Sequence, residues 1–197
     1  MADVVNDGFV IDPNELENRM DGVSLIVPTH FLGFPADMKH ICDIAHKHGA
    51  YILQDAFETI NLLDGKKQYF EYGDIITWSF YHPHHLSSYG GGAVITLTEE
   101  DAFLVDSIAH WGRKCKCHFD PERCKAPSGA AHQFSYERLG LNIEISELNA
   151  CFGRWQLITF EEQEKIRKDH YSVLYKTLYE VKNIRVYEHQ KIFSKTS

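Results

Sequence analysis

The chain has 197 residues, 44% of them hydrophobic, and a net charge of −8. That length can bury one sizeable core, and the acidic balance excludes a general nucleic-acid binder, which needs a basic face. No apolar run approaches the roughly 20 residues that span a bilayer, and Met1 to Gly8 carries acids without an apolar core, so the chain reads as cytoplasmic, with no secretory leader.

Val23 to Val27 is a short β-branched run, a strand that Pro28 ends. Asp37 to His48 repeats Met38, Ile41, Ile44 and Ala45 at helical spacing, with Gly49 as its stop. Tyr51 to Leu53 is a second strand with Asp55 just past its end. Strand, helix and strand in this order predict a parallel pair with a right-handed crossover, and such folds place ligands at the carboxyl ends of the strands. His30, Asp55 and Glu58 fall there. Asp64-Gly65-Lys66-Lys67 reads as a turn. Gly73 to Trp78 and Ala93 to Leu97 are two further strands around the loop Tyr81-His-Pro-His-His-Leu-Ser-Ser-Tyr-Gly-Gly-Gly92. Glu99 opens a helix to about His110, with acids at its positive end. Lys114 to Ala131, rich in Cys, Pro, Gly and charge, reads as a long loop, and such loops are functional or mobile. Ser146 and Glu147 start a long helical stretch to about Lys182, with one break or bend, and Ile184 to Tyr187 reads as a last strand. The class is α/β.

Three groups can do chemistry. Asp55 can pair with a cationic ring nitrogen, as pyridine cofactors require, or cap the following turn. Ser79 and the amides after it can hold a phosphate, and Gly90, Gly91 and Gly92 either allow close backbone approach to a ligand or simply make a turn. His82, His84 and His85 can bind metal, move protons or form a solvated loop. The five cysteines are an odd count, which favours free thiols or a metal site over a disulfide frame. Cys42 and Cys151 lie on predicted helices and are expected to pack there. Cys115, Cys117 and Cys124 either form a thiolate group, one ligand short of a tetrahedral zinc or iron–sulfur site, or stand as separate cysteines in a mobile loop.

Together these pieces resemble the DegT/DnrJ/EryC1/StrS family of sugar aminotransferases. Ser79 follows Asp55 by 24 residues, a basic residue follows Ser79 by five, and a glycine cluster comes next. Val27-Pro-Thr-His-Phe-Leu-Gly33, His110-Trp-Gly-Arg-Lys-Cys-Lys-Cys117 and Leu139-Gly-Leu-Asn142 are similar to further family segments, and the likeness runs from about Phe9 to Tyr187. The family's usual lysine is His84 here. That places the resemblance with the histidine-for-lysine branch, the nucleotide-linked 4-keto-6-deoxyhexose 3-dehydratases of dideoxysugar and O-antigen lipopolysaccharide synthesis.

The resemblance implies a three-layer α/β/α large domain of the fold type I, aspartate-aminotransferase-like transferases. It implies pyridoxamine phosphate (PMP) or pyridoxal phosphate (PLP) as cofactor. Asp55 would pair with the pyridine nitrogen, Ser79 would hold the phosphate, and Glu58 would lie near the cofactor. Asn142 would reach the phosphate in a neighbouring copy, hence a homodimer. His84 cannot form the lysine's Schiff base, so it would act as the base while C3 loses its hydroxyl. In the cluster-dependent enzymes, a [2Fe–2S] centre and a flavin/iron–sulfur reductase would then supply electrons. Here Phe57 stands where those enzymes carry a cysteine and Cys117 to Cys124 is one residue short, which counts against an intact cluster; Gly90 replaces an acid of the family's loop, a departure that favours a non-catalytic fold remnant. A cluster-independent relative using glutamate stays open. Residues 1–183 are expected to be the central part of the large domain and residues 184–197 the start of a truncated C-terminal small domain, the fragment alone being poorly active. The alternatives are a non-catalytic fold remnant and an aminotransferase with its lysine elsewhere, Lys66 or Lys67 being nearest in sequence.

Overall fold

The structure is a computed structural model that describes residues 9–60, 63–64, 67–117, 121–122 and 124–186. Helix α1 (Pro13–Glu17) precedes strand β1 (Leu25–Ile26), helix α2 (Met38–His48) and strand β2 (Tyr51–Asp55). A two-residue pair follows, β3 (Leu63–Asp64) and β4 (Lys67–Gln68), antiparallel to one another. Strands β5 (Ile75–Ser79) and β6 (Gly92–Thr96) lead to helix α3 (Glu99–Ala109) and helix α4 (Glu147–Tyr179). The main sheet has the order β1-β2-β5-β6, with β1, β2 and β5 parallel and β6 antiparallel to β5.

The parallel β1-α2-β2 unit expected from the sequence is present. Asp37 caps α2 by accepting the His40 amide, and Gly49 ends the helix at φ 68°, in the left-handed region that glycine adopts without cost. The apolar stripe of α2, Met38, Ile41, Cys42, Ile44 and Ala45, is buried against Ile26 and Ile52. Leu16 and Met20 from the N-terminal side, with Tyr72, close the same core. Each of the fully buried isoleucines contributes about 1.5–3 kcal/mol through burial. Cys42 packs there as its helical position predicts.

Several expectations are corrected. Asp55 is the last residue of β2 rather than a residue beyond it. The long C-terminal helix does not break: α4 runs for 33 residues from its cap at Ser146. It contains no proline, and its Gly153 is a packing position, where an added Cβ would sit 3.3 Å from the Ser88 Cβ. Cys151 lies on α4 but is exposed. No strand forms over 184–186, where the chain leaves the left-handed residue Asn183 (φ 69°). Tyr187, Gly65 and Lys66 lie outside the described residues. The short helix α1, built on Pro13 with Asp12 as its cap, was not read from the sequence. Among the described residues no helix is long and apolar enough to cross a membrane.

Candidate functional site

Parallel pairing sets the site. Asp55 lies opposite Thr77, two residues before Ser79, so both chemistry-bearing residues fall at the carboxyl edge of neighbouring strands. The Asp55 backbone is fully used. Its amide donates to the Pro28 carbonyl (2.9 Å), and its carbonyl accepts from the His30 amide (3.1 Å). Among the described residues no hydrogen bond takes the half-buried Asp55 carboxylate, which leaves it open to a cationic ligand. The Ser79 hydroxyl accepts from the Tyr81 amide at 3.2 Å.

His84 is held on the turn after β5. Its amide donates to the Tyr81 carbonyl (3.0 Å), and its Nδ1 lies 3.3 Å from the Ser79 carbonyl oxygen. A carbonyl only accepts, so Nδ1 carries the proton and the neutral ring keeps its lone pair on Nε2. The ring stands edge-on to Phe57 (5.2 Å) and Tyr81 (5.9 Å). Phe57 in turn reaches Phe31 (6.5 Å), and Phe9 spans Phe31 and Phe34, so a wall of rings borders the strand ends. Ser79, Phe57, Phe80, Leu86, Leu157 and Phe160 are among the residues lining a cavity of about 250 Å³ between these strand ends and α4.

Glu58 lies beyond β2 and accepts the backbone amide of Leu32. Leu32 sits at φ 53°, so this carboxylate anchors a left-handed turn within the 3₁₀ segment Phe31–Gly33. Asn142 occupies a different place. It is exposed on a segment paired with the end of α3 through a bridge to His110. The structure therefore brings Asp55, Glu58, Ser79 and His84 to one edge and sets Asn142 on the α3 side.

The glycine triplet approaches the protein itself. A Cβ at Gly91 (φ +83°) would lie 2.7 Å from Ile145 Cδ1, and one at Gly92 would lie 2.4 Å from the Trp78 carbonyl oxygen. The loop it closes is pinned by Phe80 to Gly91 and Ser88 to Phe80 backbone bonds, and by Asn149 of α4 donating to the Ser88 carbonyl. His82, His84 and His85 form no metal-ligand group among the described residues. Desolvation against α4, then the nearby Arg167 guanidinium, holds the His85 imidazole below its ordinary range, although His85 is exposed overall.

Two buried residues lie behind Asp55: His30, which the sequence places with Asp55 and Glu58 at the strand ends, and Gln54, which it does not single out. His30 is fully buried, its Nδ1 accepting the Ala36 amide (3.0 Å) and its Nε2 facing Gln54 Oε1 (3.0 Å). Gln54 spends its amide protons on the Tyr69 and Tyr72 carbonyls. Gln54 sits at a β2 position whose inward direction period-2 alternation gives, and this was the signal available.

The three loop cysteines converge, and a fourth donor joins them. His132 Nε2 lies 3.0 Å from Cys115 Sγ, 3.3 Å from Cys117 Sγ and 3.8 Å from Cys124 Sγ. The sequence reading left this ligand set one short because it counted thiols alone. Amide donors at Lys116 and Ala126 pull the Cys124 thiol down to about 7, while hydrogen bonding with Cys115 and Cys124 pushes Cys117 up to about 11.

The mixed α/β sheet thus carries an acid and a hydroxyl at the carboxyl edge of its parallel strands, with an imidazole on the turn after β5. The profile of the DegT/DnrJ/EryC1/StrS aminotransferase family matches residues 1–195, and the chain belongs to that family. It is 30% identical over 159 residues to the lipopolysaccharide biosynthesis protein RfbH of Salmonella typhimurium, covering 76% of this chain and 36% of that protein. It is also 30% identical over 142 residues to dTDP-4-dehydro-2,6-dideoxy-D-glucose 3-dehydratase of Saccharopolyspora spinosa, covering 67% of this chain and 31% of that one. Among solved structures, E. coli GDP-4-keto-6-deoxy-D-mannose-3-dehydratase with bound hydrated PLP superposes at TM-score 0.82 and 20% identity, over 95% of this chain and 49% of that one. The chain thus spans about a third of those curated relatives and half of the solved one.

Proposed function

We propose that this chain carries the cofactor-facing part of a nucleotide-linked 4-keto-6-deoxyhexose 3-dehydratase that works with PMP. The observation that carries the reading is His84. It stands five residues after Ser79 where a lysine would anchor PLP, and its Nδ1–H bond to the Ser79 carbonyl leaves Nε2 as the free base. When bound, the cofactor supplies an amine to join the sugar ketone and a ring to accept electrons.

The residues present fit that group. The open Asp55 carboxylate is suited to hold the pyridine nitrogen protonated, and the Ser79 hydroxyl to hold the phosphate. Glu58 keeps the Phe31–Gly33 turn in place beside them. His84 Nε2 takes a proton and, once protonated, can return it to the departing C3 hydroxyl. The rings of Phe57 and Tyr81 flank the His84 imidazole edge-on. On this reading Asn142 serves a neighbouring copy's phosphate, and a second copy covers part of the exposed apolar surface of Leu139, Leu141, Ile143 and Leu148. Residues 1–183 are, on this reading, the central part of a large domain.

The test uses the full-length protein. Parent and His84→Lys forms are mixed with PLP, reduced with borohydride and weighed intact. The expected result is a covalent cofactor mass on the variant alone. A mass on the parent as well would mean a lysine anchor elsewhere and an aminotransferase. No mass on either, with no PMP binding, would leave a fold remnant.

A further inference from the structure

The cysteine-bearing excursion leaves α3 at His110 and returns at Asn142. Its base is built from the backbone: Lys114 donates to the Ser135 carbonyl and Glu137 to the Gly112 carbonyl, both at 2.9 Å, and the buried Ser107 hydroxyl donates to the Arg113 carbonyl at 2.7 Å. Above that base, residues 115–134 hold one short 3₁₀ turn, Gly129–His132, and no buried residue among those described. A segment of this length without a core needs another source of order.

The four side chains at its centre supply the donors of one metal ion. The sulfurs of Cys115, Cys117 and Cys124 and a ring nitrogen of His132 all lie within 4.8 Å of one another. His132 Nδ1 is 3.0 Å from the Pro127 carbonyl, so Nδ1 carries the proton and the Nε2 lone pair faces the three sulfurs. Metal-bound histidines are commonly oriented in this way, by a bond from the other ring nitrogen. A tetrahedral zinc ion, with Zn–S near 2.3 Å and Zn–N near 2.05 Å, sets sulfur and nitrogen ~3.6 Å apart. The three separations, 3.0, 3.3 and 3.8 Å, bracket that value.

A two-iron cluster does not fit these donors. Its four protein ligands divide between two irons, so a histidine nitrogen can be close to the one ligand sharing its iron and not to three at once. The residue at the expected remaining cysteine position, Phe57, packs against His84 and Phe31 instead. The [2Fe–2S] centre, and with it the flavin/iron–sulfur reductase, therefore finds no matching site in this arrangement.

We propose that Cys115, Cys117, Cys124 and His132 bind a single tetrahedral zinc ion that staples the 115–134 loop. Soft thiolates with one imidazole favour zinc, and four protein ligands close the coordination sphere, making the site structural rather than catalytic. No coordination position is left for a water, and the ion takes the place of a hydrophobic core in the loop.

The test is metal and labile-sulfide content of the full-length protein, purified without oxygen from cells supplied with both zinc and iron. One zinc per chain and no labile sulfide is the expected result. Two irons with two labile sulfides per chain, or less than about a tenth of a metal ion, would overturn the proposal. Chelator-stripped protein is then titrated with Co²⁺, whose visible spectrum reports tetrahedral thiolate binding. His132→Ala is expected to weaken Co²⁺ binding by more than about tenfold. His132→Cys keeps four donors and is expected to retain one ion, with a spectrum shifted toward four thiolates; it serves if the alanine variant does not fold. Unchanged Co²⁺ affinity in His132→Ala, or a His132→Cys variant that folds without metal, would remove His132 from the site.

Discussion

Substituting His30 by leucine tests the hydrogen-bond relay behind Asp55. The shape is roughly kept, but Ala36 loses the acceptor for its amide and Gln54 loses the donor to its Oε1, both in a fully buried setting. Each buried group left without a partner costs about 1–3 kcal/mol, so the change should destabilise the fold by about 2–6 kcal/mol. The relay also fixes the proton. Nδ1 already accepts an N–H, so it has no place for a second proton, and burial holds the imidazole below its ordinary range against the opposing pulls of Gln54 and Asp55. The unfolded chain therefore binds a proton that the folded chain refuses. Stability is complete above about pH 6.5 and falls as the pH drops below it, by at most about 1.4 kcal/mol per pH unit from this group. Long-range ¹H–¹⁵N spectra of the parent read the ring directly, and chemical denaturation at pH 7.5 and 5.5 reads the energy. An Nδ1-protonated ring, a ring that charges near pH 6.5, or a leucine variant with the parent's stability and pH slope would each refute the relay.

Three other outcomes are expected. Ile41→Ala removes a fully buried side chain from the centre of α2 and should cost about 2–5 kcal/mol by denaturant unfolding. Leu32→Gly should be neutral or stabilising by up to about 1 kcal/mol, because Leu32 is exposed and held at φ 53°; a loss of stability there would mean the side chain packs against something. Chelator treatment should speed exchange of the Lys116 amide, which donates to Cys124 Sγ. The Trp111 and Leu141 amides, bonded to the Leu141 and Ile108 carbonyls, should keep their protection, as hydrogen exchange with mass spectrometry can show.

What could be read from the sequence followed from how local each signal is. The β1-α2-β2 unit carries its own caps, period and stop, so Asp37, the Met38–Ala45 stripe and Gly49 define α2 to within a residue. The placing of Asp55 and Ser79 at strand ends came from the same short-range patterns. Contacts across the chain were not legible. His132 is distant from Cys115 by 17 residues, and nothing periodic links them. Helix α4 runs on through Gly153, a weak helix former, at a position where an added Cβ would sit 3.3 Å from the Ser88 Cβ, a closeness set by tertiary packing. Of the two roles open to the glycine triplet, room for a ligand or a turn, the crowding of Gly91 and Gly92 by Ile145 and the Trp78 carbonyl fits close packing within the chain.

The two sites are joined through one stretch of backbone and are otherwise built independently. The base of the cysteine loop leaves no space for change: an added Cβ at Gly140 would sit 2.1 Å from the Gly112 nitrogen, and one at Gly112 would sit 1.9 Å from the Arg138 carbonyl oxygen. Trp111 and Leu141 then bind each other and α3 through their backbones. Asn142 follows immediately, so its position is set by this glycine lock and not by the loop's tip. A metal at the tip can thus order the cysteine loop without being needed to place Asn142, while His84 and Asp55 are held by β2, β5, the Pro28–His30 backbone and the Ser88 contact of α4. Loss of the metal and loss of the cofactor site should therefore be separable by mutation, the first at His132 and the second at His84.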